Sequence, residues 1–99
     1  MPTEKFSAEL RDGHKGCAAE VPFDPGARWA IAAEALWPGR RGFRVRARLN
    51  DTVFETAIVA RSRKFWLLVP ADIAQLSAVS VGESACFAVL PLFASKPSA

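Results

Sequence analysis

Two continuous apolar segments, residues 65–69 and 85–90, place the strongest constraint on how this chain can fold. Each has the length of a short strand, and each is too apolar for either of its faces to lie in water. Between them, Pro70 suits the first turn of a short helix on which Ile73 and Leu76 share one apolar face. We therefore expect two buried strands that are joined by a short helix and wrapped by the rest of the chain.

Residues 40–49 alternate between apolar and basic side chains, which predicts a strand with one buried and one exposed face. A two-residue turn at Asn50 and Asp51 would fold the next segment back as an antiparallel partner. The inner face would then pair Leu49 with Thr52, Ala47 with Phe54, Val45 with Thr56 and Phe43 with Ile58. On the outer face Arg46 would lie opposite Glu55, Arg48 opposite Val53 and Arg44 opposite Ala57, so two of the three arginines would have no cross-strand acid.

The beginning of the chain predicts a second hairpin. Residues 5–10 alternate, with Phe6, Ala8 and Leu10 on one side, and residues 11–16 carry strong turn signals. Residues 17–22 then form the return strand, whose inward-facing side chains would be Cys17, Ala19 and Val21.

A helix is expected after this hairpin. Asp24 can cap its N-terminus, and Pro25 can occupy its first turn. Residues 27–36 are rich in alanine, and apolar side chains recur at helical spacing. The stripe consists of Trp29, Ala32, Ala33, Leu36 and Trp37, and it ends at Pro38 and Gly39. We expect this to be the longest helix of the chain.

The 99 residues suffice for one domain, with residues 1–4 a disordered N-terminus, residues 5–93 the domain and residues 94–99 a flexible tail. Six short strands with tight turns favour a small barrel over an open sheet. We predict a mainly β protein, a six-stranded barrel capped by one longer and one short α-helix. The predicted core is Phe6, Val21, Phe23, Trp29, Leu36, Phe43, Val45, Phe54, Ile58, Phe65, Leu67, Ile73, Leu76, Phe87 and Val89.

Charge and composition leave the function open. The net charge of +3 and the pI near 9.3 permit a polyanionic partner without requiring one. No apolar run approaches the roughly 20 residues of a membrane span, and no secretory leader opens the chain, so we expect a cytoplasmic protein with no membrane partner. Cys17 and Cys86 lack metal-ligand spacing. We expect them to be buried or half-buried free thiols, with no metal and no cofactor.

Several segments together resemble the bacterial proteins catalogued as domain of unknown function 1905. They are Phe6-x-Ala8-x-Leu10, Val21-Pro22-Phe23-Asp24-Pro25, Arg44-Val45-Arg46-Ala47-x-Leu49-Asn50, Phe54-Glu55-Thr56, and residues 65–87 with Leu68-x-Pro70-x-x-Ile73 and Val81-Gly82. The resemblance implies a double-split β-barrel, related in architecture to the AbrB and MazE transcription-factor domains, and it implies no activity. Members of that family usually have glycine where this chain has Ala47, Asp51 and Ala78.

The sequence contains no catalytic constellation that we can identify. His14 lies in a predicted loop without a nucleophile or acid partner, and no glycine loop would cradle a phosphate. We therefore expect a non-enzymatic binding or regulatory module whose partner is unknown. A homodimer is one alternative, because the apolar content is high for so short a chain.

Two more specific hypotheses name residues. A nucleic-acid-binding regulator would use a basic surface of Arg44, Arg46, Arg48, Arg61 and Arg63, which could equally be a solvated strand face. A small-molecule-binding barrel would use a pocket of Trp29, Trp37, Phe43, Phe54 and Trp66, which could equally fill the barrel. The polar groups of such a pocket would come from His14, Glu20, Asp24 or Glu55.

Overall fold

The computed structural model describes residues 3–12 and 16–92, in which seven strands and two short helices follow one another. They are β1 (Glu4–Asp12), β2 (Cys17–Val21), α1 (Pro25–Trp29), β3 (Glu34–Trp37), β4 (Arg40–Leu49), β5 (Thr52–Arg61), β6 (Lys64–Val69), α2 (Ala71–Leu76) and β7 (Ser84–Pro91). The predicted tail, residues 94–99, and His14 in the predicted loop lie outside the described residues. None of the helices described here is long and apolar enough to cross a membrane.

The six predicted strands form a closed antiparallel barrel. Their order is β4-β5-β6-β2-β1-β7, and β7 closes the barrel by pairing with β4. The predicted mainly β barrel is therefore confirmed. Closure satisfies the hydrogen-bonding groups that the edges of an open sheet would leave unpaired.

The β4–β5 hairpin has the predicted register. Leu49 pairs with Thr52, Val45 with Thr56 and Arg46 with Glu55, and every other predicted pair between these strands also matches. The positive φ of the turn falls on Asn50, at 54°, and not on Asp51. Asparagine tolerates this conformation better than most residues, so the turn forms without a glycine.

The barrel is split where β1 leaves β2. These strands pair only from Leu10 with Ala19 to Asp12 with Cys17. The rest of β1, from Glu4 to Glu9, pairs with β7, and β2 pairs with β6 along its whole length. The segment around α1 packs against the start of β1 at this gap. Phe6 stacks on Phe87 and meets Phe23 edge-on, with ring centroids 5.4 Å and 6.2 Å apart, respectively. Aromatic packing thus replaces the missing strand pairing.

A second split separates β5 from β6. They pair from Arg61 with Lys64 only as far as Ile58 with Leu67, and β6 then continues along β2 to the pair of Cys17 with Val69. The helix α2 follows β6 and contacts β5 across this gap. Both splits are those of the expected double-split barrel.

The prediction of a longer helix over residues 27–36 is wrong. Asp24 caps α1 as expected, accepting from the backbone N–H of Gly26 at 2.9 Å, but the helix ends at Trp29, and Ala30 is left-handed with φ of 56°. The strand β3 forms instead. One edge of β4 pairs with β7 from Val45 to Leu49. The first residues of that edge are not covered by β7, and β3 pairs with them. Sheet pairing therefore overrides the helical preference of the alanines.

The core agrees with most of the predicted residues. Leu76 is an exception, because α2 ends there and its side chain is 72% exposed, whereas Ala74 and Ser77 are buried. The buried side chains that the predicted core omitted include Leu10, Leu49, Val59 and Val69. Both cysteines are free, and Cys17 is half-buried, but Cys86 is exposed because it lies on the outer face opposite Ser7.

Gly42 should tolerate no side chain. A Cβ there would collide with the carbonyl oxygen of Ile58 and would lie 2.8 Å from Cδ1 of Leu36, so Gly42→Ala should cost about 2–3 kcal/mol in urea unfolding. The control is Gly39→Ala, where no atom lies within 4 Å of the added Cβ but φ is 83°. Backbone strain alone should cost about 1 kcal/mol there. Equal losses for the two variants would contradict the close packing of β4 against β5.

Replacing Ala78 with glycine should stabilise the fold. It follows α2 with φ of 57°, a left-handed conformation that strains any residue with a Cβ. Ala78→Gly should raise the free energy of unfolding by about 0.5–1 kcal/mol in a denaturant titration. Ala71→Gly, in the first turn of α2, should instead lower it by about 0.5–1 kcal/mol. A loss of stability in Ala78→Gly would contradict this helix ending.

Candidate anion-binding cleft

A cleft of about 980 Å³ opens in the barrel wall beside the split between β5 and β6. Side chains and backbone from β1, β2, β4, β5 and β6 line it, together with Gly16 and Pro70. We call it the wall cleft. Its volume lies at the upper end of the range for small-molecule sites.

Loss of strand pairing creates the wall cleft, and Thr56 limits how far it opens. Beyond Ile58 and Leu67 the two strands exchange no further pairs, but the hydroxyl of Thr56 donates a hydrogen bond to the carbonyl oxygen of Leu68 at 2.7 Å. This bond satisfies a backbone acceptor that β5 would otherwise have paired. The cleft is therefore a fixed feature of the barrel wall.

The floor of the wall cleft is apolar and contains one tryptophan. Trp66 pairs across the sheet with Val59, and Leu68 with Ala18, all on the outer face. The indole Nε1 of Trp66 donates to the carbonyl oxygen of Arg61 at 3.3 Å, which fixes the orientation of the half-buried ring. Its flat surface is then available for packing against another flat group.

Arginines stand on both sides of this floor. Arg40 and Arg61 lie at the β4–β5 side and Arg11 at the β1 side, and Asp12 is the one acid in the lining that the structure describes. Nη1 of Arg40 donates to the carbonyl oxygen of Ala60 at 3.3 Å, which holds the guanidinium without neutralising it. Within the described residues Arg61 makes no ion pair, and Arg11 is 4.0 Å from Glu9. The wall cleft therefore carries a formal excess of positive charge.

The acid nearest to Trp66 is neutralised. Glu20 pairs with Trp66 across β2 and β6, and its carboxylate is 3.6 Å from Nζ of Lys64. Arg63 lies beyond Lys64 in the β5–β6 turn and is exposed, with φ of 65°. The turn thus adds an exposed cation two residues from Arg61, which lines the cleft.

The predicted basic surface is divided between two places. Arg44, Arg46 and Arg48 lie exposed along the outer face of β4, as the alternation predicts. Arg46 is 3.1 Å from Glu55, and Arg44 is 3.6 Å from Glu34 of β3. The pair with Glu34 was not expected, because residue 34 was predicted to lie in a helix. Arg48 makes no ion pair with the described residues. The remaining two predicted residues, Arg61 and Arg63, belong to the other end of the hairpin.

The predicted aromatic pocket is also divided. Trp29, Phe43 and Phe54 are buried in the core, where Trp29 meets Phe23 edge-on at 5.5 Å between ring centroids. Trp66 lines the wall cleft, and the side chain of Trp37 lies outside the described part of the structure. Of the polar groups suggested with them, Glu20, Asp24 and Glu55 are engaged with Lys64, with the N-terminus of α1 and with Arg46, respectively.

The sequence matches the family described as domain of unknown function (DUF1905) over residues 6–89. The chain belongs to the DUF1905 family. No curated protein matches it.

The sequence patterns do not indicate that the residues of the wall cleft lie together. Arg61 was predicted in a basic surface and Trp66 in an interior pocket, and Arg11 was not predicted as a site residue. Strand alternation shows that Arg11 points outward next to the buried Leu10. The order β1-β2-β6-β5 that brings these residues together depends on long-range pairing, which no local pattern reveals. In the described part of the chain, no group of three His, Cys, Asp or Glu side chains could hold a metal ion.

Thr56→Val should loosen the split between β5 and β6. Valine keeps the shape but leaves the Leu68 carbonyl without its donor, so the free energy of unfolding should fall by about 1–2 kcal/mol. Hydrogen exchange at the amides of α2 and of the end of β6 should become faster. Thr56→Ser keeps the hydroxyl and should change exchange less. Wild-type exchange in Thr56→Val would show that this bond does not hold the split.

Proposed function

We propose that this DUF1905 protein is a non-enzymatic binding module that holds an anionic ligand in the wall cleft. The observation that carries the proposal is the combination of unneutralised Arg40 and Arg61 with the oriented indole of Trp66 in one concave site. Guanidinium groups suit phosphate and carboxylate oxygens because they offer several donors in one plane.

The outer face of β4 and the interior of the barrel are less suitable for binding an anion. On β4, Glu34 and Glu55 lie within ion-pair distance of Arg44 and Arg46, so an anion there would meet carboxylates as well as guanidinium groups. Inside the barrel, side chains such as Leu10, Ile58 and Leu67 are fully buried and occupy the space a ligand would need. The wall cleft has both room and a favourable charge.

A binding role without catalysis fits the groups that line the cleft. The Thr56 hydroxyl is engaged with the Leu68 carbonyl, and Asp12 and Cys17 are cross-strand neighbours at the far side from Arg61. We include a cytoplasmic location in the proposal, because free thiols such as Cys17 and Cys86 persist in a reducing compartment.

Calorimetric titration with long-chain inorganic polyphosphate at low salt tests the proposed function. The wild-type protein should bind, and Arg40→Gln combined with Arg61→Gln should weaken binding by about tenfold or more, because charge-assisted hydrogen bonds are lost. The matched control removes the same charge from the β4 face, with Arg44→Gln and Arg46→Gln, and should bind nearly as the wild type. Absence of binding, or equal weakening in both double variants, would contradict a site in the wall cleft.

A further inference from the structure

We propose that the ligand of the wall cleft is a single-stranded nucleic acid, with a base packed on Trp66 and phosphates held by the arginines on either side. This inference rests on the proposed function, since it names the ligand class for the same site. Three features of the cleft support it: the state of the indole, the spacing of the charges and the shape of the wall.

The indole of Trp66 has one remaining way to interact. Its N–H is already used on the carbonyl oxygen of Arg61, so the ring can offer only its π surface to a ligand. A simple anion makes no use of that surface, whereas a nucleic-acid base has a flat face of matching size. Stacking of a base on an aromatic side chain contributes to binding of single strands whatever the base is.

The arginines of the cleft lie on two sides of the Trp66 ring and do not surround a single point. Arg11 stands on β1 and Arg61 on β5, with β2 and β6 between them. Across the sheet they lie three strand spacings of about 4.8 Å apart, or about 14 Å. The register also offsets them along the strands, because Arg11 aligns with Leu68 of β6 whereas Arg61 aligns with Lys64, four residues and about 13 Å away. The positive charge is therefore spread along the cleft and is not gathered around one point. A chain in which phosphates alternate with bases can place phosphates at both sides and a base on the apolar floor.

The shape of the wall favours a single strand over a duplex. In a duplex the faces of the bases are stacked on one another, and only their edges are open in the grooves. Trp66 is half-buried in the wall cleft, and the helix that follows β6, α2, has only six residues. A duplex could therefore offer this site only its phosphates, while a single strand offers phosphates and a base.

The β5–β6 turn gives an additional reason to place the nucleic acid here. Ser62 and Arg63 both have positive φ, 54° and 65°, a conformation that glycine or asparagine adopts with less strain. An arginine is nevertheless present, exposed and next to the hairpin residues that line the cleft. Strain of this kind is common where a side chain serves binding. Arg63→Gly should therefore make the fold more stable and the binding weaker.

Fluorescence anisotropy with labelled oligonucleotides tests the inference. The probes are oligothymidylate and oligouridylate of about 12 nucleotides, within the site size of a small barrel domain, and a hairpin duplex of the same length. The wild-type protein should bind either single strand at least about tenfold more tightly than the duplex. Trp66→Leu should lose about 5- to 150-fold in affinity for the single strands, and Trp66→Phe should recover most of it.

The salt dependence separates stacking from charge. Trp66→Leu should leave the slope of log affinity against log salt unchanged. Arg40→Gln with Arg61→Gln should make the slope shallower by about 1.4, if each arginine neutralises one phosphate. Thermal unfolding of each variant checks that it is folded.

Each result bears on one claim. Equal affinity for single strand and duplex, with no effect of Trp66→Leu, would overturn the inference. If polyphosphate still binds in that case, the proposed function stands. If polyphosphate does not bind either, the proposed function itself is wrong. A preference for oligouridylate over oligothymidylate, or the reverse, supports the inference and identifies the natural class of strand.

Discussion

The structure depends on two interruptions of strand pairing around one small barrel. A closed barrel must pair every strand on both edges, because unpaired backbone groups are costly wherever water cannot reach them. Here β1 and β5 each leave one neighbour partway along their length. Each departure exposes backbone and apolar side chains, and other parts of the chain must cover them.

The two gaps are covered in different ways. At the first, the segment around α1 brings Phe23 against Phe6, with Trp29 packed on Phe23. The guanidinium of Arg28 is 2.6 Å from the carboxylate of Glu4. At the second, α2 contacts β5, and its end is held by Ser77, whose hydroxyl donates to the carbonyl oxygen of Leu49. Beside this second gap the wall cleft remains open. The proposed binding site is therefore a consequence of how the barrel closes.

Local patterns in the sequence were sufficient for the parts of the fold that short-range pairing decides. Alternation over β4 and β5, with Asn50 at the turn, determines which side chains can share a face, and a shift by one residue would expose the core. The same reasoning failed at β3. Ala35 and the two alanines before it favour a helix, and the strand forms because it pairs with the free edge of β4, which is a property of the whole sheet.

The candidate site was harder to predict than the fold for a related reason. Arg11 is far from Arg61 and Trp66 in the sequence, and it lines the same cleft only because β2 and β6 lie between β1 and β5. Composition indicates that the chain is basic, but it does not indicate which arginines are neutralised. Glu34 shows this clearly, since it reaches Arg44 only after residues 34–37 have become a strand.

The most direct measurement is a nitrogen–proton correlation NMR titration of the labelled protein with oligothymidylate. If the wall cleft is the binding site, the indole N–H of Trp66 and the amides around Val59, Arg61 and Leu68 should shift together and saturate, while the amides of Arg46 and Arg48 remain in place. Shifts concentrated on the exposed face of β4, with an unchanged Trp66 indole signal, would contradict a binding site at the split between β5 and β6.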